Sequence, residues 1–161
     1  MRLLIVRHGD PDYSIDSLTE KGWKEAEYLS ERLSKLDVKD FYVSPLGRAK
    51  DTASFTLKKM NRTAVECDWL REFDVLINRP DVTNRQKRLW DWLPQDMEKD
   101  LDLYDRERWN KTDIMRKGNV EEAYRWVCDG LDALLKKHGY ERDDMYYRVN
   151  EPNHDTIVLF C

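Results

Sequence analysis

Apolar residues along this chain fall into two alternating patterns, short unbroken runs and longer stretches at helical spacing. Leu3-Leu4-Ile5-Val6 is a continuous aliphatic run with two β-branched members, and it reads as a strand buried on both faces. A polar loop follows over residues 10–18. Thr19 then has the character of a helix N-cap, with Glu20 favourably placed in the first turn. Trp23, Ala26, Leu29, Leu33 and Leu36 recur at helical spacing behind it. Phe41-Tyr42-Val43 reads as a second strand. Ser44-Pro45 reads as a helix start, because proline at the first helical position gives up only an orphan N–H. The helix should run to about Met60, with Ala49, Ala53, Thr56 and Met60 on one side. Residues 64–67, Ala-Val-Glu-Cys, are a candidate third strand.

Residues 78–118 differ in character. They are crowded with charges yet carry Trp90, Trp92 and Trp109, and their strong breakers are Pro80 and Pro94. They read as a helical insertion, either a lid over a site or a solvated excursion docked through its tryptophans. Asn119 with Glu122 resembles a capping box. Val120, Ala123, Val127, Leu131, Leu134 and Leu135 form the stripe that follows, and His138-Gly139 closes the helix. His138 is read as a helix C-terminal charge. Residues 140–155 read as a polar connection, and residues 156–161, Thr-Ile-Val-Leu-Phe-Cys, as another buried strand. The alternation implies an α/β fold: three layers, with a mostly parallel sheet flanked by helices.

Composition narrows the class. A chain of 161 residues fits a single domain over 1–161, large enough for a real core. Charged residues make up 37%, and the net charge is −4, which leaves no electrostatic footprint for nucleic acid or an anionic membrane. No apolar run approaches the ~20 residues of a transmembrane helix. The apolar start is too short for a signal peptide and is closed by Arg7. Cys67, Cys128 and Cys161 are odd in number and irregularly spaced, which argues against a disulfide framework or a zinc site. The expectation is a reduced, cytoplasmic protein without metal or other cofactor, with Cys128 as a small core residue.

Three local signals carry chemistry. The first strand ends in Arg7-His8-Gly9, and in open α/β sheets ligands bind beyond the carboxyl ends of the strands. There an imidazole can attack phosphorus, a guanidinium can hold phosphate oxygens and a glycine admits close backbone approach. A solvated Arg-His turn is the plainer alternative. Arg48 lies in the first turn of the second helix, where backbone N–H groups also favour anions. Glu72, after the third strand candidate, could donate a proton at the same edge. Read singly, Arg48 is a surface charge and Glu72 an ordinary one; read together with His8 they form a phosphoryl-transfer site.

These pieces identify a family. Arg7-His8-Gly9, Leu18-Thr19-Glu20-Lys21-Gly22, residues 44–53 (Ser-Pro-Leu-Gly-Arg-Ala-Lys-Asp-Thr-Ala) and Leu70-Arg71-Glu72-Phe73 occur in the order and spacing of the histidine phosphatase superfamily. The chain resembles this family, with its phosphoglycerate-mutase-like fold, well to about Asp74 and loosely from Val120 onward. The resemblance implies that His8 is phosphorylated, that Arg7 and Arg48 bind the phosphate and that Glu72 is the acid/base. It implies a phosphomonoester hydrolase acting on a small phosphorylated molecule. Mutases of the family usually show a Ser, Trp and Asn pattern after the Arg-His-Gly, whereas this chain reads Asp10-Pro11-Asp12-Tyr13-Ser14. A phosphoglycerate-type phosphomutase is the alternative enzyme. The family also carries a second active-site histidine just after a late apolar strand, and residues 156–161 resemble that strand. His154 is no substitute, since six residues at ~3.3 Å each put it about 20 Å from the catalytic edge. The expectation is a truncated family fold that exposes apolar surface and could self-associate. A catalytically incomplete phosphate-binding or regulatory protein is the alternative of another class.

Overall fold

The buried strand expected near the C-terminus lies inside the sheet. In this computed structural model, which describes residues 1–82 and 85–161, β1 (Arg2–Val6) is followed by a short antiparallel pair, β2 (Pro11–Asp12) and β3 (Ser17–Leu18). Then come α1 (Glu20–Leu33), β4 (Asp40–Val43), α2 (Gly47–Met60) and β5 (Val65–Glu66). The next elements are β6 (Leu76–Ile77), β7 (Lys87–Arg88), α3 (Pro94–Met97), α4 (Asp113–Lys117) and α5 (Val120–Lys137), interleaved with single 3-10 turns. A hairpin, β8 (Tyr140–Asp143) and β9 (Tyr146–Val149), leads into β10 (Thr156–Phe160). The main sheet has the order β1-β10-β4-β5 and every pairing in it is parallel.

Parallel strands need crossover connections; α1 carries β1 across to β4 and α2 carries β4 to β5. The two helices cover one face of the sheet. Leu33, Val38, Ala49 and Ala53 bury there against Phe41, Val43, Val158 and Phe160, and the Phe41 and Phe160 rings stack 6.3 Å apart. Side chains alternate along a strand, so Tyr42 faces the other side. All five residues of β10 are buried, as its apolar run predicts. The same expectation fails for β1, where Ile5 is 65% exposed. The cause is position: β1 is the edge of the sheet, and only Leu4 and Val6 pack on the helix-covered side.

Several local expectations change. Helix α2 begins at Gly47, two residues beyond Pro45, and its N-cap Leu46 offers no side-chain hydrogen bond. Ser44-Pro45 forms the turn before it, with Ser44 Oγ accepting from the Leu46 N–H. Residues 140–155 are not merely a polar connection but carry the β8–β9 hairpin, turned at Asp144 with φ +54°. Asp and Asn tolerate that left-handed conformation better than other non-glycine residues. His138 is buried, not a solvated charge: its Nε2 lies 2.8 Å from the Tyr42 hydroxyl, and burial pushes its pKa down, only partly countered by Asp40. Cys128 is half-buried rather than a core residue.

The chain divides into two compact units, one formed by Met1–Glu72 with Asp132–Cys161 and the other by Phe73–Leu131. The second contains the segment read as a helical insertion, of which residues 83 and 84 lie outside the described residues. It has a core of its own around Ile77, Trp92, Met115 and Val120. Apart from the start of α5, its pieces are short: the β6–β7 pair, 3-10 turns and the helices α3 and α4, of four and five residues. The buried Arg79 is held there by two hydrogen bonds to Asp81 and one to the Arg88 carbonyl. Among the described residues no helix is long and apolar enough to cross a membrane.

The first turn of α1 presses on the loop that leaves β1. Thr19 caps the helix by accepting from the Gly22 N–H and donates to Asp10 Oδ2 at 2.7 Å. A Cβ on Gly22 would stand 2.2 Å from the Asp10 carbonyl oxygen, and one on Gly9 2.9 Å from the Gly22 carbonyl oxygen. The glycine beside His8 therefore serves contact between two stretches of backbone. Alanine is the better helix former by ~1 kcal/mol, so propensity alone favours Gly22→Ala. The contact reverses the sign: Gly22→Ala should lower the melting temperature by several degrees in a thermal scan, with Lys21→Ala as a near-neutral control. A Gly22→Ala protein as stable as wild type would show that the two backbones do not touch.

Candidate active site

The carboxyl edge of the sheet gathers the residues singled out by the sequence. His8 lies two residues beyond β1, and its backbone N–H donates to the Cys161 carbonyl at 2.7 Å, continuing the β1–β10 ladder. Its Nδ1 is 2.8 Å from the Gly9 carbonyl oxygen. A carbonyl oxygen can only accept, so Nδ1 carries the proton, and in the neutral ring Nε2 then presents a lone pair. The ring is half-buried and meets Tyr13 edge-on at 6.4 Å. Arg7, His8 and Gly9, with Asp10, Pro11 and Glu25, line an open pocket of about 250 Å³. Arg7 itself is exposed.

Arg48 is not the surface charge it would be if read alone. Its side chain is only 9% exposed, in the first turn of α2. Nη1 donates to Asp16 Oδ1 at 2.7 Å and Nη2 to Glu72 Oε2 at 2.8 Å. Nε is buried with no hydrogen-bond partner among the described residues. The guanidinium lies over the Tyr13 ring, 5.3 Å from its centroid, within range of a cation–π contact. Tyr13 thus touches both His8 and Arg48. A second link runs through Thr52, whose buried hydroxyl donates to the Arg48 carbonyl at 2.8 Å and accepts from the Gly9 N–H at 3.0 Å. One turn of α2 is thereby tied to the loop that carries His8.

The structure brings Arg48 and Glu72 into direct contact and links His8 to Arg48 indirectly, through Tyr13 and Thr52. Arg7 shares the His8 pocket without an ion pair among the described residues. His154 lies elsewhere, in a polar pocket with Arg2, Asp37, Lys39, Asp155 and Thr156 at the amino end of β10. Three contributors were not singled out by sequence: Tyr13, Asp16 and Thr52. Tyr13 and Asp16 stand in a polar loop with nothing local to mark them. Thr52 had a signal, since it follows Arg48 by one helical turn and so shares its face. Among the described residues no group of three or more His, Cys, Asp or Glu side chains is placed to hold a metal ion. Burial raises the Cys161 thiol pKa, partly opposed by the nearby Arg7 guanidinium.

Comparison with known proteins shows the family and the fold. The sequence profile of the histidine phosphatase superfamily, branch 1, matches residues 3–112. A 2,3-bisphosphoglycerate-dependent phosphoglycerate mutase of Thermoplasma acidophilum is 35% identical, over 38% of this chain and 36% of the relative. A mitochondrial serine/threonine-protein phosphatase of Drosophila melanogaster is 34% identical, over 50% of this chain and 31% of the relative. The match thus spans about a third of the length of these curated relatives. Among solved structures, a mycobacterial glucosyl-3-phosphoglycerate phosphatase superposes with a TM-score of 0.54 at 21% identity, over 99% of this chain and 74% of that one. The alpha-ribazole phosphatase of Shigella flexneri gives 0.55 at 16% identity, over 99% and 73%. At such identities the likeness shows the fold: a parallel sheet flanked by helices.

Asp16 gives the site a signature in acid. Burial opposes its charge, but the Gly47 N–H and the Arg48 guanidinium outweigh that and hold its carboxyl below the ordinary value of 3.8. The folded state therefore binds the Asp16 proton more weakly than the unfolded state does. The resulting stabilisation is complete above about pH 3.8 and is lost as pH falls through the lowered value. The side chain is 44% exposed, so solvent screens much of the effect. Asp16→Asn should flatten the fall in melting temperature between pH 4 and pH 2 relative to wild type. Parallel acid profiles for the two proteins would show that Asp16 is not held as an anion.

Proposed function

The chain belongs to the histidine phosphatase superfamily, and on that premise we propose that it hydrolyses a small phosphomonoester through a phosphohistidine formed on His8. The observation that carries this reading is the 2.8 Å contact of His8 Nδ1 with the Gly9 carbonyl, which leaves Nε2 as the free nucleophilic nitrogen. In the first step Glu72, having left Arg48 and taken up a proton from solvent, gives that proton to the leaving oxygen as Nε2 attacks phosphorus and the bond to that oxygen breaks. In the second, water attacks the phosphohistidine, Glu72 takes the proton, and phosphate departs with His8 restored. Arg48 and Arg7 hold the non-bridging oxygens, whose charge is the main object of stabilisation in phosphoryl transfer. An incoming phosphate competes with Glu72 for Nη2 of Arg48, and this exchange turns Glu72 towards the leaving group.

The loop Asp10-Pro11-Asp12-Tyr13-Ser14 favours hydrolysis over mutase chemistry. It is tied up internally, with Asp12 accepting from both the N–H and the hydroxyl of Ser14. The three free cysteines support a reducing, cytoplasmic setting.

Two measurements test the roles. His8→Ala should abolish an acid-labile, base-stable phosphoryl adduct formed with a generic phosphoester; an undiminished adduct would remove His8 from the nucleophile role. Glu72→Gln should slow substrates with poor leaving groups by about 10²–10⁴-fold and those with good ones far less. Arg48→Ala should slow both classes alike, by about 10²–10³-fold. Equal losses across leaving groups for Glu72→Gln would take it out of the acid role. A wild-type chain that binds orthophosphate but never turns over would favour the phosphate-binding reading instead.

A further inference from the structure

We propose that Asp16 is a positioning residue for phosphate capture: it anchors the Arg48 guanidinium so that Nη2 is the group offered to the ligand. The inference rests on the reading of Arg48 as a phosphate-binding residue. Asp16 is fixed from several directions. Its Oδ1 accepts from Arg48 Nη1 at 2.7 Å and its Oδ2 from the Gly47 N–H at 2.7 Å. One carboxylate therefore orients both the side chain and the first backbone amide of the helix that carries it. The backbone at Asp16 is left-handed, with φ +49°, and a Cβ on Gly47 would lie 2.1 Å from the Asp16 carbonyl oxygen. The loop is thus laid directly against the N-terminus of α2. It spends a sparsely populated conformation to reach that place, as backbones do where the surroundings over-determine them.

The two carboxylates on Arg48 differ in freedom. Glu72 has Arg48 as its hydrogen-bond partner, whereas Asp16 holds two donors that belong to different groups. A phosphate that approaches Arg48 displaces the less tethered carboxylate. Asp16 stays, and Nη1 stays with it. The Tyr13 ring under the guanidinium and the buried Nε restrict the remaining rotation. Without Asp16 a long, flexible side chain would have to be ordered by the ligand itself, and that entropic cost would appear in binding. Asp16 also caps α2, a purely structural service, so the test must separate the two.

The experiment uses the 161-residue chain as wild type, Asp16→Ala, Asp16→Asn, Arg48→Ala and the double variant Asp16→Ala/Arg48→Ala. Four quantities are read: Kd for inorganic phosphate, KM and kcat for p-nitrophenyl phosphate, and melting temperature. Asp16→Ala should weaken phosphate binding and raise KM by about 10–100-fold, the range for a hydrogen bond to a charged group. Asp16→Asn retains one acceptor oxygen and should fall between Asp16→Ala and wild type, and it serves if the alanine variant folds poorly. In the Arg48→Ala background the same Asp16 change should cost no further phosphate affinity, while the loss of melting temperature from the missing cap persists. Equal losses of affinity in both backgrounds, or an unchanged KM in a turning-over Asp16→Ala protein, would overturn the positioning role alone. A wild-type chain with neither phosphate binding nor turnover would instead overturn the phosphatase reading, and this inference would fall with it.

Discussion

The insertion of β10 between β1 and β4 is the constraint on which the rest of the sheet edge depends. Parallel strands leave the sheet on the same side, so the segments that follow them emerge as neighbours. β10 sets their level: its register pairs Val6 with Phe160 and Phe160 with Val43. Just past those pairs the His8 N–H reaches the Cys161 carbonyl and the Ser44 N–H reaches the Phe160 carbonyl, at 2.7 and 2.8 Å. One strand therefore fixes the first loop residues on both flanks, one leading to the imidazole and the other to the helix that carries Arg48. The register is held by side chains that differ between faces, with Val158 and Phe160 directed to the core under α1 and α2. A slip of one residue would turn them to the opposite face, and the two loops would lose their common level.

On this edge Arg48 is the costly element. Removing a guanidinium from water carries a penalty of several kcal/mol, and partners repay it only when the geometry is good. Two carboxylates at hydrogen-bond distance and an aromatic face supply those partners, while Nε remains unpaired. The arrangement is poor value as a stability device, since a well-packed apolar residue would serve the fold as well. It makes sense as preorganisation, because a charge already ordered and partly desolvated loses less on meeting an anion.

How far the sequence speaks depends on the range of the interactions involved. The sheet, its helices and the His8 placement were legible because each rests on a local pattern, an apolar run, a helical period or a compact motif at a strand end, whereas Arg48 and Glu72 stood out only when read together with His8. The start of α2 was misread by two residues because its cap is not local. Asp16, from another loop, supplies the acceptor for the Gly47 N–H. His138 was misread for the same reason: a helix end suggests a solvated charge, but burial lowers its pKa and its ring meets the distant Tyr42 hydroxyl. The β8–β9 hairpin was hidden by its composition, since its charges pair within the hairpin and with α5, as Arg142 does with Asp132. In the second unit no long apolar stripe precedes α5, so the helical content expected there resolves into short turns around a small core.

The electrostatics of the phosphate site then follow from which group can move. A guanidinium between two carboxylates has net charge −1, and a phosphate dianion is repelled by such a cluster unless one carboxylate gives way. Asp16 is bound to the helix N-terminus as well as to Arg48, so its departure would uncap α2 and release a strained loop. Glu72 stands after the short edge strand β5 with Arg48 as its hydrogen-bond partner, and its departure uncovers only Nη2. Repulsion therefore acts on the carboxylate least able to resist it, and that is the one expected to exchange protons with the leaving group. On the proposed phosphatase reading, the unequal tethering of two like charges around one buried cation would give binding and acid catalysis a fixed order, with phosphate taking its place on Arg48 before Glu72 is free to act.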